Sequence, residues 1–276
     1  MTEHATLSIA LVSGKGGVGK TNLALNLAYA LHRAKQRVLL MDCDIGLANL
    51  DVLLGIAPKV SIEQVMTGEA AFEDAVVNLE SSFSLLPAAS GIDAMKDVAA
   101  ALRSSFLRQL NAAVRPYDYL LLDVGAGITD TVQTFASKSA MRVVVVTPEP
   151  TSITDAYALI KVIKTHHNVT EFHVLVNQAV SPTEEKTTFT RLAAACNKFL
   201  GISPLSLGGV RFDQTMHQAV RRQEPLLKFA PTSPAGKDLI AVAARIHKLR
   251  DSLTSNPEEP LKVDDHQARA ALNAHT

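Results

Sequence analysis

Gly14-Lys15-Gly16-Gly17-Val18-Gly19-Lys20-Thr21 fits the pattern GxxxxGK[ST], and its place between an apolar run and a helical one decides the reading of the chain. Glycines are needed there because only backbone without side chains can wrap a phosphate closely with its N–H groups pointing inward. The following helix, starting near Lys20, adds the partial positive charge of its N-terminus. Lys20 would then reach the β and γ phosphates of ATP, and the Thr21 hydroxyl would ligate Mg2+. The run Leu7 to Val12 precedes the loop as a strand, and an amphipathic helix beginning at Asn22 follows it, which is the placement phosphate binding requires. The bland alternative is a glycine-rich turn without ligand.

Outward from the loop, short apolar runs recur with helical patterns between them: Leu7 to Val12, Val38 to Met41, Phe83 to Leu86, Tyr119 to Leu122, Val143 to Val146 and Phe172 to Val176. Several are continuously apolar rather than alternating, as strands covered on both faces should be. Leu23, Leu27 and Leu31 share one helical face, and Ala156, Leu159, Ile160 and Ile163 share another. The fold class is α/β: a single doubly wound, mostly parallel sheet with helices on both faces. No Pro/Gly/Ser-rich linker interrupts residues 5 to 250, so residues 1–254 read as one domain. The polar, proline-marked tail 255–276 is expected to be disordered.

With Lys plus Arg at 27 and Asp plus Glu at 27, no overall positive field is available to hold nucleic acid. Cys43 and Cys196 form no CxxC, which argues against a disulfide framework or a zinc site and fits a reducing cytoplasm. No signal peptide is apparent, and no stretch approaches ~18 uninterrupted apolar residues.

Three acids end apolar strands. Asp42 and Asp44 follow Val38 to Met41, where open α/β sheets gather their ligand-binding residues; both could instead cap a helix near Gly46. Asp123 ends Tyr119 to Leu122 as an acid delivered to Mg2+ or its water shell would, the alternative again being a helix cap. Asn177 ends another strand, and its amide can both donate to and accept from a base edge. Cys43 reads as a small buried side chain. His166 and His167 read as surface residues after a helix ending near Thr165.

Lys15 stands where a generic phosphate loop tolerates any residue, and Lys15-Gly16-Gly17-Val18-Gly19-Lys20-Thr21 resembles the deviant Walker A motif of the MinD/ParA ATPases. The resemblance covers about residues 7 to 250 and implies a dimer in the ATP state, in which Lys15 crosses to the partner's nucleotide as a finger in trans. It also implies that Asp44 orients the attacking water and joins Thr21 and Asp123 at the metal, with Asp42 assisting the metal shell or holding the loop. Gly125, in a segment like the family's second switch, would bring an N–H to the γ phosphate. Asn177 would read the base, Arg211, Phe212 and Asp213 would approach it, and residues 14 to 22, Asn22 included, would form the nucleotide cradle.

Thr147-Pro148-Glu149-Pro150-Thr151-Ser152 and the residues after it, with Asp123 to Gly127 and Val176 to Gln178, look most like the FlhG/FleN flagellar-number ATPases, with MinD as near neighbour. That implies a cytoplasmic nucleotide switch acting through flagellar proteins, an FlhF-like GTPase or a transcription regulator, or at the inner face of the membrane. Only six residues precede the first strand, which favours the transcription regulator over activation of the GTPase. For Leu239, Ile240, Val242, Ile246, Leu249 and Leu253 the expectation is a last helix packed on the sheet, against a membrane-binding one. The rivals are a cell-division-site regulator, a DNA-partitioning relative, an iron-sulfur scaffold and a non-hydrolysing ATP-sensing module.

Overall fold

The structure is a computed structural model that describes residues 5–44, 49–60, 62–88, 100–253 and 260–262. Along the chain run β1 (Leu7–Ser13), α1 (Lys20–Arg33), β2 (Val38–Cys43), α2 (Leu50–Leu54), α3 (Ile62–Thr67), α4 (Phe72–Ala75), β3 (Val77–Glu80), β4 (Phe83–Leu86), α5 (Ala100–Val114) and β5 (Tyr119–Ala126). They are followed by α6 (Asp130–Lys138), β6 (Met141–Val146), α7 (Pro150–His167), β7 (His173–Ala179), α8 (Pro182–Leu200), β8 (Leu205–Arg211), α9 (Gln214–Arg222), α10 (Leu226–Phe229) and α11 (Pro234–Leu253). The strands form one sheet in the order β3-β4-β2-β5-β1-β6-β7-β8, in which only the β3–β4 pair is antiparallel.

Strand side chains alternate between two apolar layers. Ala10 and Val12 pack with Phe106, Phe135 and Leu159 of α5, α6 and α7, while Leu7, Ile9 and Leu11 pack with Leu27 of α1 and Leu239 of α11. Helices on both faces remove the reason for polar alternation, which is why the inner strands read as unbroken apolar runs. The chain folds as the doubly wound α/β sheet its sequence implies.

The differences in detail have local causes. β6 starts at Met141, two residues before the expected run, because buried Arg142 interrupts its apolarity. Its guanidinium is held by the carbonyls of Ser139 and Ala140. α7 continues through His167 rather than ending near Thr165: Asn168 takes a left-handed conformation (φ 53°) and donates its N–H to the Lys164 carbonyl. The edge strands β3 and β8 carry no apolar run. In β8, Gly208 leaves room for the Arg245 guanidinium, whose Nη1 donates to the Leu207 carbonyl at 2.6 Å.

α11 packs on the sheet and on α1, burying Leu239, Val242 and Ile246. Its far end is stitched down by Arg250, which donates to the Ala5 carbonyl (2.9 Å), lies 3.7 Å from Asp118 and covers the Tyr119 ring. Among the described residues no helix is long and apolar enough to cross a membrane.

Of the tail 255–276, the structure describes Pro260–Lys262, and these residues pack. Leu261 is fully buried in the layer of α5 and α6. Its backbone exchanges two hydrogen bonds with the Asn111 amide (2.8 and 2.9 Å), Lys262 donates to the Lys138 carbonyl, and Ser8 holds the Pro260 carbonyl. Deleting a buried leucine costs about 2–5 kcal/mol, and the strap can limit that loss by undocking. Leu261→Ala is therefore expected to lower the unfolding free energy by about 2 kcal/mol in urea titrations; an unchanged midpoint would show that the strap adds nothing to the core.

Candidate functional site

The loop from Gly14 to Gly19 leaves the end of β1 at the centre of the sheet and enters α1 at Lys20. Gly14 is dictated by close approach, since a Cβ there would collide with the Asp155 carbonyl in α7. Gly19 is dictated twice over: its φ is +83°, and a Cβ would lie 2.5 Å from Asn177 Nδ2. That nitrogen donates to the Val18 carbonyl at 2.8 Å, so Asn177, buried at the end of β7, fastens the loop with the amide expected to face a base.

Beneath the loop, Lys20 Nζ lies 2.6 Å from Asp123 Oδ1, and both side chains are almost fully buried (7% and 1% exposed). The other carboxylate oxygen, Asp123 Oδ2, is buried with no hydrogen-bond partner. Such an orphaned charged acceptor is costly unless a ligand or cation completes it. Asp42 adjoins Asp123 across the β2–β5 ladder. Its carboxyl is raised to about 6, first by burial and then by the Asp123 charge, against the lowering effect of three backbone N–H groups. Those donors belong to Asp44 (2.9 Å, to Oδ1) and to Asn49 and Leu50 (3.1 and 3.2 Å, to Oδ2). Asp42 thus clamps both ends of the segment between Asp44 and Leu50. Gly46, the alternative cap position, lies outside the described residues.

Asp44 is half-buried, with its carboxylate against Gly125, where an added Cβ would come 3.1 Å from Oδ1. Burial raises its pKa, Lys20 pulls it down and Asp123 raises it. Asp42 and Asp44 thus each feel the Asp123 charge, and Lys20 is the ammonium beside Asp123 and Asp44, a surplus of negative charge that suits a divalent cation. Among the described residues no group of three or more His, Cys, Asp or Glu forms a cage for a metal. Asp123 and Thr21 at this place fit Mg2+, which is commonly held by one or two protein oxygens together with phosphates and water.

Lys15 points elsewhere. Its Nζ is 2.7 Å from Glu149 Oε2 and 3.2 Å from Thr151 Oγ1 at the start of α7, and the side chain is 41% exposed. An exposed pair of this kind contributes about 0–1 kcal/mol, so Lys15 can exchange it for another anion.

Beside Gly19 and Asn22 a cleft opens between β7 and α9, lined also by Asn177, Gln178, Phe212 and Met216. Its largely apolar walls with a few polar groups suit the flat face of a nucleoside base. Arg211 lines it too, but its guanidinium is engaged by both oxygens of Asp238 (2.7 and 2.8 Å). Asp213 accepts from Thr215 N and Ala235 N, which makes it the brace of α9 and α11. Met216 and His217 carry no motif, and Gln178 enters the sequence only as part of the segment Val176 to Gln178; its left-handed backbone (φ 61°) and the packing of α9 have no local signature. Cys43 is buried, and burial pushes its thiol well above the usual range. His166 and His167 are exposed, as expected.

Comparison with known proteins bears on the family and the fold. The chain matches the ParA family, described as "NUBPL iron-transfer P-loop NTPase", over residues 4–247. It is 37% identical over 259 residues to the antiactivator FleN of Pseudomonas aeruginosa, covering 94% of this chain and 92% of that protein. It is 34% identical over 259 residues to the flagellum site-determining protein YlxH of Helicobacter pylori, covering 93% and 87%. Among solved structures, a chain of the MinC:MinD cell division protein complex of Aquifex aeolicus superposes with a TM-score of 0.72 at 27% identity, covering 88% of this chain and 96% of that one.

Proposed function

The chain belongs to the ParA/MinD family of P-loop NTPases, and on that premise we propose that it is an ATP-hydrolysing dimerisation switch controlling the placement or number of flagella. The observation that carries the ATPase reading is the buried Lys20–Asp123 pair with its orphaned Asp123 Oδ2. It sets a cation and an anion side by side where a triphosphate and a metal would bind.

In this reading Lys20 leaves Asp123 for the β and γ phosphates, and Thr21 and Asp123 hold Mg2+ directly or through water. The metal would supply neutralisation of charge gathering on the phosphoryl oxygens. The loop Gly14 to Gly19 wraps the phosphates with its N–H groups, and Gly125 adds a further N–H. Asp44 orients the attacking water, while Asp42 keeps Asp44 in place by holding its backbone. The base occupies the cleft beside Asn22, Gln178 and Phe212. Arg211 forms that wall as a structural partner of Asp238 rather than as a donor to the base.

Lys15 is the residue that makes the switch dimeric. Freed from Glu149 and Thr151, it would reach the nucleotide of a second chain, so that a complete site needs two copies. The flagellar role is inferred from the names of FleN and YlxH, with a transcription regulator or an FlhF-like GTPase as the partner class. Iron transfer, named for the family, finds no support in Cys43 and Cys196, both buried.

Phosphate release with Mg-ATP tests the proposal. Turnover that needs Mg2+ and rises more steeply than linearly with chain concentration is expected. Release proportional to chain concentration at every dilution would contradict a site completed in trans, and absence of release would contradict hydrolysis.

A further inference from the structure

Gln133 in α6 is 9% exposed and uses both ends of its amide. Nε2 donates to the Ile128 carbonyl at 2.9 Å, while Oε1 lies 3.0 Å from His166 Nδ1 and 3.3 Å from His167 Nε2 at the end of α7. The chemistry fixes the orientation. A carbonyl only accepts, so the amide nitrogen must face Ile128, the amide oxygen faces the rings, and both imidazoles present an N–H: His166 at Nδ1, His167 at Nε2.

Ile128 lies in the connection from β5, whose last two residues are Gly125 and Ala126, to α6, and that connection is tied to the end of β1 through Gly127 N to the Ser13 carbonyl at 2.9 Å. At its other end α7 meets the phosphate loop, through Asp155 against Gly14 and through Glu149 and Thr151 on Lys15. One 18-residue helix therefore touches the phosphate loop with its first turns and braces, through Gln133, the turn that follows Gly125 and Ala126 at the end of β5.

We propose that Gln133, held by His166 and His167, is a positioning residue that sets the height of the Gly125–Ile128 backbone over the phosphate site. The proposal rests on the hydrolysis reading above. Gln133 acts through the main chain and touches no reacting atom. Loss of its donor lets Ile128 rise, and Gly125 loses its aim at the γ phosphate.

The experiment compares Gln133→Leu, the pair His166→Ala/His167→Ala, and all three together. Gln133→Leu is expected to lower kcat about tenfold with KM within about twofold, as a misaimed contact to the reacting group should. The histidine pair is expected to lower kcat about threefold, and the triple variant no further than Gln133→Leu alone, because the rings act only through the amide. Hydrogen exchange in Mg-ATP is expected to quicken at residues 125–128 in each variant and to stay unchanged in β1 and α1. Additive losses, or exchange at 125–128 equal to that of the parent chain, would overturn the proposal. Faster exchange throughout the sheet would do the same by reducing Gln133 to a general stabiliser. If the parent chain shows no turnover, the hydrolysis reading falls, and exchange at 125–128 still decides for or against Gln133.

Discussion

Asp44→Ala is expected to cut ATP turnover by about 10²- to 10³-fold while leaving nucleotide affinity within about threefold, because a positioned carboxylate acting on the attacking water contributes on that order. The residue is placed for this by two neighbours rather than by its own strand. Asp42 Oδ1 accepts the Asp44 N–H, and Gly125 leaves the space its carboxylate occupies. Removing it also removes one of the two carboxylates beside Lys20, so affinity for an anionic ligand should not fall. Phosphate release together with fluorescent-nucleotide titration separates the two quantities. Turnover equal to the parent chain's would take Asp44 out of the mechanism.

The second large effect is on stability. Lys20→Met keeps the stem volume and deletes the charge, leaving Asp123 buried beside Asp42 with nothing to offset it. Breaking a buried pair from one side costs about 3–5 kcal/mol, so the nucleotide-free variant is expected to unfold in urea with that much less free energy. Lys20→Met with Asp123→Asn should recover most of the loss, since no unpaired charge then remains. A single variant as stable as the parent would mean that the pair is not buried in solution as the geometry has it.

The phosphate loop was legible because every residue that defines it lies within eight positions, and the strand before it and helix after it are strongly patterned. Asp42, Asp44 and Asp123 were legible as acids following apolar runs, although β5 continues past Asp123 to Ala126. What the sequence could not show is pairing at a distance. Lys15 and Glu149 are 134 residues apart, and the wall formed by Phe212 and Met216 comes to Gly19 only when β8 and α9 fold back beside β7. Asn177 was recognised as a site residue, but its amide turns toward Val18, a contact that depends on how closely two loops approach. Arg211 stands where the resemblance brings it near the base, and nothing local reveals Asp238 facing it. Leu261 was hidden for another reason: two adjacent buried residues, Pro260 and Leu261, make no periodic signal in a polar tail.

In the proposed switch, the phosphate site around Lys20 and Asp123 is where this chain would sense the nucleotide. Lys15, parked on Glu149 by a pair of small energy, is the group that would convert that sensing into association. Sedimentation velocity of the parent chain in Mg-ATP and in Mg-ADP, beside Lys15→Ala in Mg-ATP, tests this most directly. A dimer in Mg-ATP that reverts to monomer in Mg-ADP and is lost or strongly weakened in the variant is expected. A monomer in both nucleotides, or a variant dimerising as fully as the parent, would contradict it.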